Sequence, residues 1–279
     1  MRPAGLGALA AVLWLGLSGA HAAEPAITGQ KPAYLTKPLS TVPNEQAIVR
    51  RHWAPGLDDG YTPQGLSISG GRVHVVGSGA DGCRLFRLEG DGRAQATAGP
   101  ACKHGGGLAT IGADRFVVID TRALFVIAGG RVEHTIRLEE PLRGSFGDFD
   151  GTDLWIGSYD AAKPGRLWRI PLDRLSAPFL TEKDSAESFE IQAKAQGLAF
   201  GNGSFWLTFS GSKFGRLAAF DRKTGRETAS YEMPAGIEDI GFDSAGLLWA
   251  VSEAGARRYL GWETNFPLVF ALDVTKLKP

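Results

Sequence analysis

Five segments of the chain repeat one pattern at intervals of roughly 40 to 50 residues. A period of that length limits a chain to folds built from stacked or circularised supersecondary units. Each segment opens with a small or polar residue, runs through a short apolar alternation to a Gly or Asp turn, and returns in a second strand. They are Pro63 to Ile68 with Arg72 to Val76, Gly106 to Ile111 with Arg115 to Ile119, Phe146 to Phe149 with Asp153 to Ile156, Gln196 to Phe200 with Ser204 to Phe209, and Glu238 to Phe242 with Leu247 to Val251. Third strands follow at Cys83 to Leu88, Ala123 to Ile127, Arg166 to Ile170, Arg216 to Phe220 and Leu268 to Leu272. Fourth strands follow the first four repeats only, at Ala94 to Ala98, Arg131 to Leu138, Phe189 to Ala193 and Arg226 to Tyr231. Four antiparallel strands per repeat of this length predict the blade of an all-β propeller.

The fifth repeat lacks its fourth strand, and a circular propeller must close. Ala47 to Trp53 precedes the first repeat with no partner of its own and fits that vacancy. The expectation is therefore five blades of four antiparallel strands closed by an N-terminal strand. Six blades would need a full unit from Ala23 to Gly60, and a β-sandwich would not repeat one strand motif at regular intervals. Thr181 to Ile191 reads either as a weak strand or as a short helix capped by Thr181 and Asp184.

With Gly 38 and 10% aromatic residues, the composition suits many short strands joined by tight turns. Lys+Arg 30 against Asp+Glu 30 gives a formal net charge of +0, which offers no basic surface for nucleic acid. Arg2, the apolar run Gly5 to Leu17 and Ala20-His21-Ala22 read as a secretory signal peptide cleaved after Ala22. The run is about 13 residues against the roughly 20 needed to span a bilayer, so no membrane insertion is expected once it is removed. The organisation expected is a signal peptide at 1–22, an extended arm at 23–43 and one propeller domain at 44–279, secreted or periplasmic. Cys83 and Cys102 are the only cysteines, and in an exported chain they predict one disulfide.

At Gln64-Gly65-Leu66 and Gln196-Gly197-Leu198, and at the strands Leu154-Trp155-Ile156 and Leu247-Leu248-Trp249-Ala250, the sequence resembles exported NHL-type and SMP-30/gluconolactonase-like β-propellers. The resemblance runs from about Tyr61 to the end. It implies a divalent cation in the central channel held by Glu, Asn and Asp. The corresponding strand starts here carry Gln64, His104, Ser145, Gln196 and Glu238, so no catalytic residue carries over.

In a propeller, the connections into each inner strand and those between second and third strands gather on one face, where a rigid scaffold positions them. The expected ligand-binding residues there are Gln64, His104, Gln196, Asp239, Arg257, Arg258, Tyr259 and Trp262. His104, Glu238 and Asp148 are the candidates for a metal site or for acid and base chemistry, since imidazole and carboxyl groups serve either. Arg257 and Arg258 offer guanidinium forks, and Tyr259 and Trp262 offer flat apolar surface. Asp58-Asp59-Gly60 lacks the further acids of a calcium loop, and Trp155, Trp168, Trp206 and Trp249 read as core between blades. His52, His74 and His134 lie within predicted strands and read as structural. No nucleophile elbow, zincin motif, phosphate loop or dinucleotide fingerprint is present. These observations favour a polar small molecule, glycan or peptide bound on the loop face; the alternatives are a metal-dependent hydrolase, lactonase or lyase, and a protein-interaction scaffold.

Overall fold

A computed structural model describes residues 25–97 and 99–279; the expected signal peptide lies outside these residues, as does Ala98. The described residues form five sheets. Blade 1 consists of Thr62–Ser69, Arg72–Gly79, Gly82–Leu88 and Ala94–Thr97, and blade 2 of Gly107–Gly112, Arg115–Ile119, Ala123–Ala128 and Arg131–Leu138. Blade 3 has Phe146–Phe149, Asp153–Gly157, Gly165–Pro171 and Glu187–Ile191, and blade 4 has Ala195–Gly201, Ser204–Phe209, Phe214–Asp221 and Glu227–Pro234. Blade 5 takes Ile237–Phe242, Leu248–Ser252 and Leu268–Leu272 from the C-terminal end of the chain. Its outer strand is Ile48–Trp53, antiparallel to Leu268–Leu272 with Trp53 opposite Leu268. The five first strands pack on one another in a closed ring, blade 5 against blade 1. This is the five-bladed propeller expected from the repeats, sealed by the N-terminal strand.

Two details differ from the expectation. Between Thr181 and Ile191 a capping box of Thr181 and Asp184 holds only the short 3-10 turn Glu182–Asp184, after which the outer strand of blade 3 forms. The arm is not merely extended: Ile27–Thr28 adds a parallel strand beside Arg51 and His52. Among the described residues no helix is long and apolar enough to cross a membrane.

Each of the five blade junctions carries its own apolar cluster. Trp206, Trp168, Trp249 and Trp155 are distributed over four of them, at the junctions of blades 4 and 5, 2 and 3, 5 and 1, and 3 and 4 respectively. The strand histidines are structural as expected: His52 stacks on Trp249 at 5.5 Å, His74 packs on Phe116 at 4.6 Å, and His134 meets the Leu175 carbonyl. Cys83 and Cys102 form the disulfide, tying the third strand of blade 1 to the connection into blade 2.

The ring tightens at one level. Gly65, Gly107, Gly147 and Gly197 hold the same position in the first four inner strands, and at each a Cβ would strike backbone. At Gly65 the added atom would lie 2.7 Å from the Gly107 carbonyl carbon, and at Gly197 it would lie 2.5 Å from the Glu238 oxygen. The fifth repeat has Asp239 there. Its carboxyl accepts the backbone N–H of Leu66 and Leu108 at 3.0 Å and that of Leu198 at 3.4 Å, joining blade 5 to blades 1, 2 and 4 across the axis. Asp239 is 0% exposed. Leaving a buried donor unpaired costs about 1–3 kcal/mol, so Asp239→Ala is expected to lower the unfolding free energy by about 3 kcal/mol or more. Chemical denaturation checks this; a loss below about 1 kcal/mol would mean that water replaces the carboxyl without cost.

Candidate functional site

One residue before the tight level the inner strands carry Gln64, Gly106, Phe146, Gln196 and Glu238; Phe146 turns into the core between blades 3 and 4, and the polar three meet at the mouth of the channel. Gly106 is small for two reasons: a Cβ there would lie 2.0 Å from the Ser145 carbonyl oxygen and 2.6 Å from Cε1 of His104. The imidazole takes the space that a side chain would otherwise fill. Asp120 fixes the connection that carries it, accepting the N–H of Lys103 at 2.6 Å and of His104 at 3.1 Å.

At the mouth stand two carboxyl groups. Glu238 is 1% exposed and Glu253, just past the second strand of blade 5, is 3% exposed. They hydrogen-bond to each other. The Gln196 amide donates to Glu238 Oε1 at 3.3 Å, and the Ser210 hydroxyl also reaches Glu238. The Gln64 amide donates to Glu253 Oε2 at 3.3 Å and contacts His104 Nε2 at 3.2 Å, while Gln64 Oε1 accepts from Ser78 Oγ at 3.2 Å. With both amide hydrogens of Gln64 spent, His104 Nε2 is the acceptor and the imidazole proton sits on Nδ1. The Tyr259 hydroxyl bonds to Glu253, and the charge of Arg258 acts on it.

Burial raises both carboxyl groups, Glu253 to about 7 and Glu238 well above the usual carboxylate range; the charge of Glu253 pushes Glu238 further from ionisation, while the hydrogen bond from Glu238 favours ionised Glu253. Two adjacent buried carboxyls cannot both ionise without a large penalty, so the pair holds a proton at neutral pH. Burial lowers the His104 imidazole, so it is neutral under the same conditions. Burial likewise raises Tyr259, helped by the negative charge of Glu253, so the phenol keeps its proton as a donor.

The expected site residues divide into groups. Gln64, His104, Gln196, Glu238, Arg258 and Tyr259 gather at the carboxyl pair. Asp239 lies in the tight level beneath it. Arg257 turns toward the arm, with its guanidinium 4.2 Å from the Tyr34 ring centre, and Trp262 packs on Tyr259 at 4.4 Å while its carbonyl takes Lys37 Nζ. Asp148 lies apart, accepting Phe200 N at 3.1 Å, and burial raises it to about 7. The metal set of His104, Asp148 and Glu238 is therefore not assembled. Among the described residues no three His, Cys, Asp or Glu side chains stand together in a way that could hold an ion. The cation implied by the resemblance does not fit these donors.

Glu253 and Ser210 are the residues that the sequence reading missed. Ser210 directly follows the second strand of blade 4 and Glu253 that of blade 5. That position, directly after a second strand and facing the channel, was the available signal.

No family model matches the chain, and no curated protein matches it. Among solved structures, the glutaminyl cyclase of Myxococcus xanthus superposes with a TM-score of 0.56 at 15% identity, over 81% of this chain and 94% of that one. The PQQ-bound aldose sugar dehydrogenase of Streptomyces coelicolor aligns at 13% identity with a TM-score of 0.46, over 76% of this chain and 94% of that one. A putative glucose dehydrogenase from Thermus aligns at 12% identity with a TM-score of 0.48, over 76% and 96%. At these identities the likeness is one of fold.

A carboxyl whose folded pKa exceeds its unfolded value stabilises the fold while protonated, and that contribution fades as pH rises past the unfolded value toward the folded one. For Glu253 the window runs from about 4.5 to about 7. The denaturation midpoint of the wild type is expected to fall across this window, and that of Glu253→Gln to fall less. Parallel profiles would mean that the pair is ionised in the folded protein.

Proposed function

We propose that the channel mouth binds a small polar ligand carrying an amine or amide, such as the amino end of a peptide, and moves a proton at it through Glu238 and Glu253. The observation that carries this reading is the carboxyl pair itself. Burying two acids side by side works against folding, and such arrangements recur where a protein needs an acid and a base together. With one proton between them, the ionised member can take a proton from the ligand while the protonated member gives one up, so the pair ends with the charge it began with. Gln64 and Gln196 hold the two carboxyls from opposite sides. Neutral His104 offers a hydrogen bond to a carbonyl, while the Tyr259 phenol, which donates to Glu253, and Arg258 are placed to offset the remaining negative charge.

Glutaminyl peptides are the first probe, because the fold neighbour from Myxococcus is named a glutaminyl cyclase. Attack of the α-amine on the side-chain amide with loss of ammonia needs one proton removed from the attacking nitrogen and one delivered to the leaving nitrogen. The experiment measures ammonia release from Gln-Ala and Gln-Phe amides, with calorimetry of the same peptides in parallel. Turnover is expected, and Glu238→Gln or Glu253→Gln is expected to lower kcat/KM by about 100-fold or more, the range for loss of general acid–base catalysis. Neither turnover nor saturable binding of any amine or amide ligand would refute the reading, as would full activity in both variants.

A further inference from the structure

A cavity of about 590 Å³ opens between blades 3 and 4 at the end of the propeller remote from the carboxyl pair, where the hairpin turns at Asp150 and at Lys223 to Gly225 lie. Its floor is aromatic. Trp155 packs on Phe189 and Phe200 with ring centres 5.9 and 5.7 Å apart, and Phe205 continues the floor at 5.9 Å from Phe189. Trp155 belongs to the core between these blades, as its sequence position suggested, and it also borders the cavity.

The rim is charged but balanced, with Asp150, Glu187 and Glu190 against Arg169, Arg222 and Lys223. Both arginines are already neutralised. Arg222 donates to Asp150 at 3.0 Å and lies over the Phe200 ring, while Arg169 donates to Asp153 at 3.0 Å with Glu187 3.3 Å from its Nε. An anionic ligand would have to displace an internal carboxylate, and a cationic one would have to displace a guanidinium. Hydrogen-bonding capacity nevertheless remains. Lys223 and Glu190 are exposed at the rim, where they can donate and accept.

We propose that this cleft is a second binding site, for a neutral glycan segment of two or three sugar units. A sugar ring has an apolar face of C–H groups suited to an aromatic floor, and its hydroxyls both donate and accept, as a rim of mixed acids and bases requires. The volume falls in the range of small-ligand pockets. The site is independent of the chemistry at the channel mouth.

The test titrates the protein with maltotriose, cellotriose and tri-N-acetylchitotriose, read by tryptophan fluorescence and by calorimetry. At least one is expected to bind saturably. Glu190→Ala is expected to weaken that binding about tenfold, as for loss of a charge-assisted hydrogen bond. Lys223→Trp, on an exposed turn and therefore harmless to folding, is expected to block the cleft, and Glu238→Gln is expected to leave binding unchanged. Three results would each overturn the proposal: no saturable binding of any neutral trisaccharide, tighter binding of a trimeric hexuronate, or full affinity in Lys223→Trp.

Discussion

Every innermost strand of a propeller has one open edge, and here five such edges face a single channel too narrow to leave them all to water. Backbone N–H groups buried without partners would be costly. The chain meets this constraint with four glycines that let the strands approach and one carboxyl, Asp239, that accepts from three of them. The strands are thereby held at a common level, and the residues just before that level are placed as a set. Gln64, Gln196 and Glu238 belong to this set, so the geometry of the mouth follows from the way the ring closes.

The mouth also depends on the N-terminal arm. Tyr34 donates to the Gly255 carbonyl at 2.9 Å, and Asn265 bonds to the carbonyls of Lys37 and Pro38 at 2.9 and 3.0 Å. These contacts fix both ends of the connection that brings Arg258 and Tyr259 to Glu253. Arg257 and the Trp262 carbonyl meet the arm, while Arg258 and Tyr259 between them reach the carboxyls.

The architecture was largely legible in the sequence because a propeller writes itself as a repeat. The missing fourth strand of the last blade and the unpartnered Ala47 to Trp53 together determine closure and blade number. The site was legible only in part. Repeat position revealed Gln64, His104, Gln196 and Glu238. Partnerships across the channel could not be read, since they depend on which blades face each other and how far each side chain reaches. Hence Asp148 was grouped with His104 and Glu238, although its carboxyl serves Phe200, and Glu253 was passed over although it is the true partner of Glu238. The replacement of glycine by Asp239 in one repeat of five was a visible signal of its role at the axis.

The central claim is that Glu238 and Glu253 share a proton in the folded protein at neutral pH. Carboxyl carbon NMR of glutamate-labelled protein, assigned with Glu238→Gln and Glu253→Gln, reads their titration directly. The account predicts two coupled steps, with Glu253 titrating near pH 7 and Glu238 well above the usual carboxylate range. Two independent titrations in the ordinary carboxylate range would contradict it.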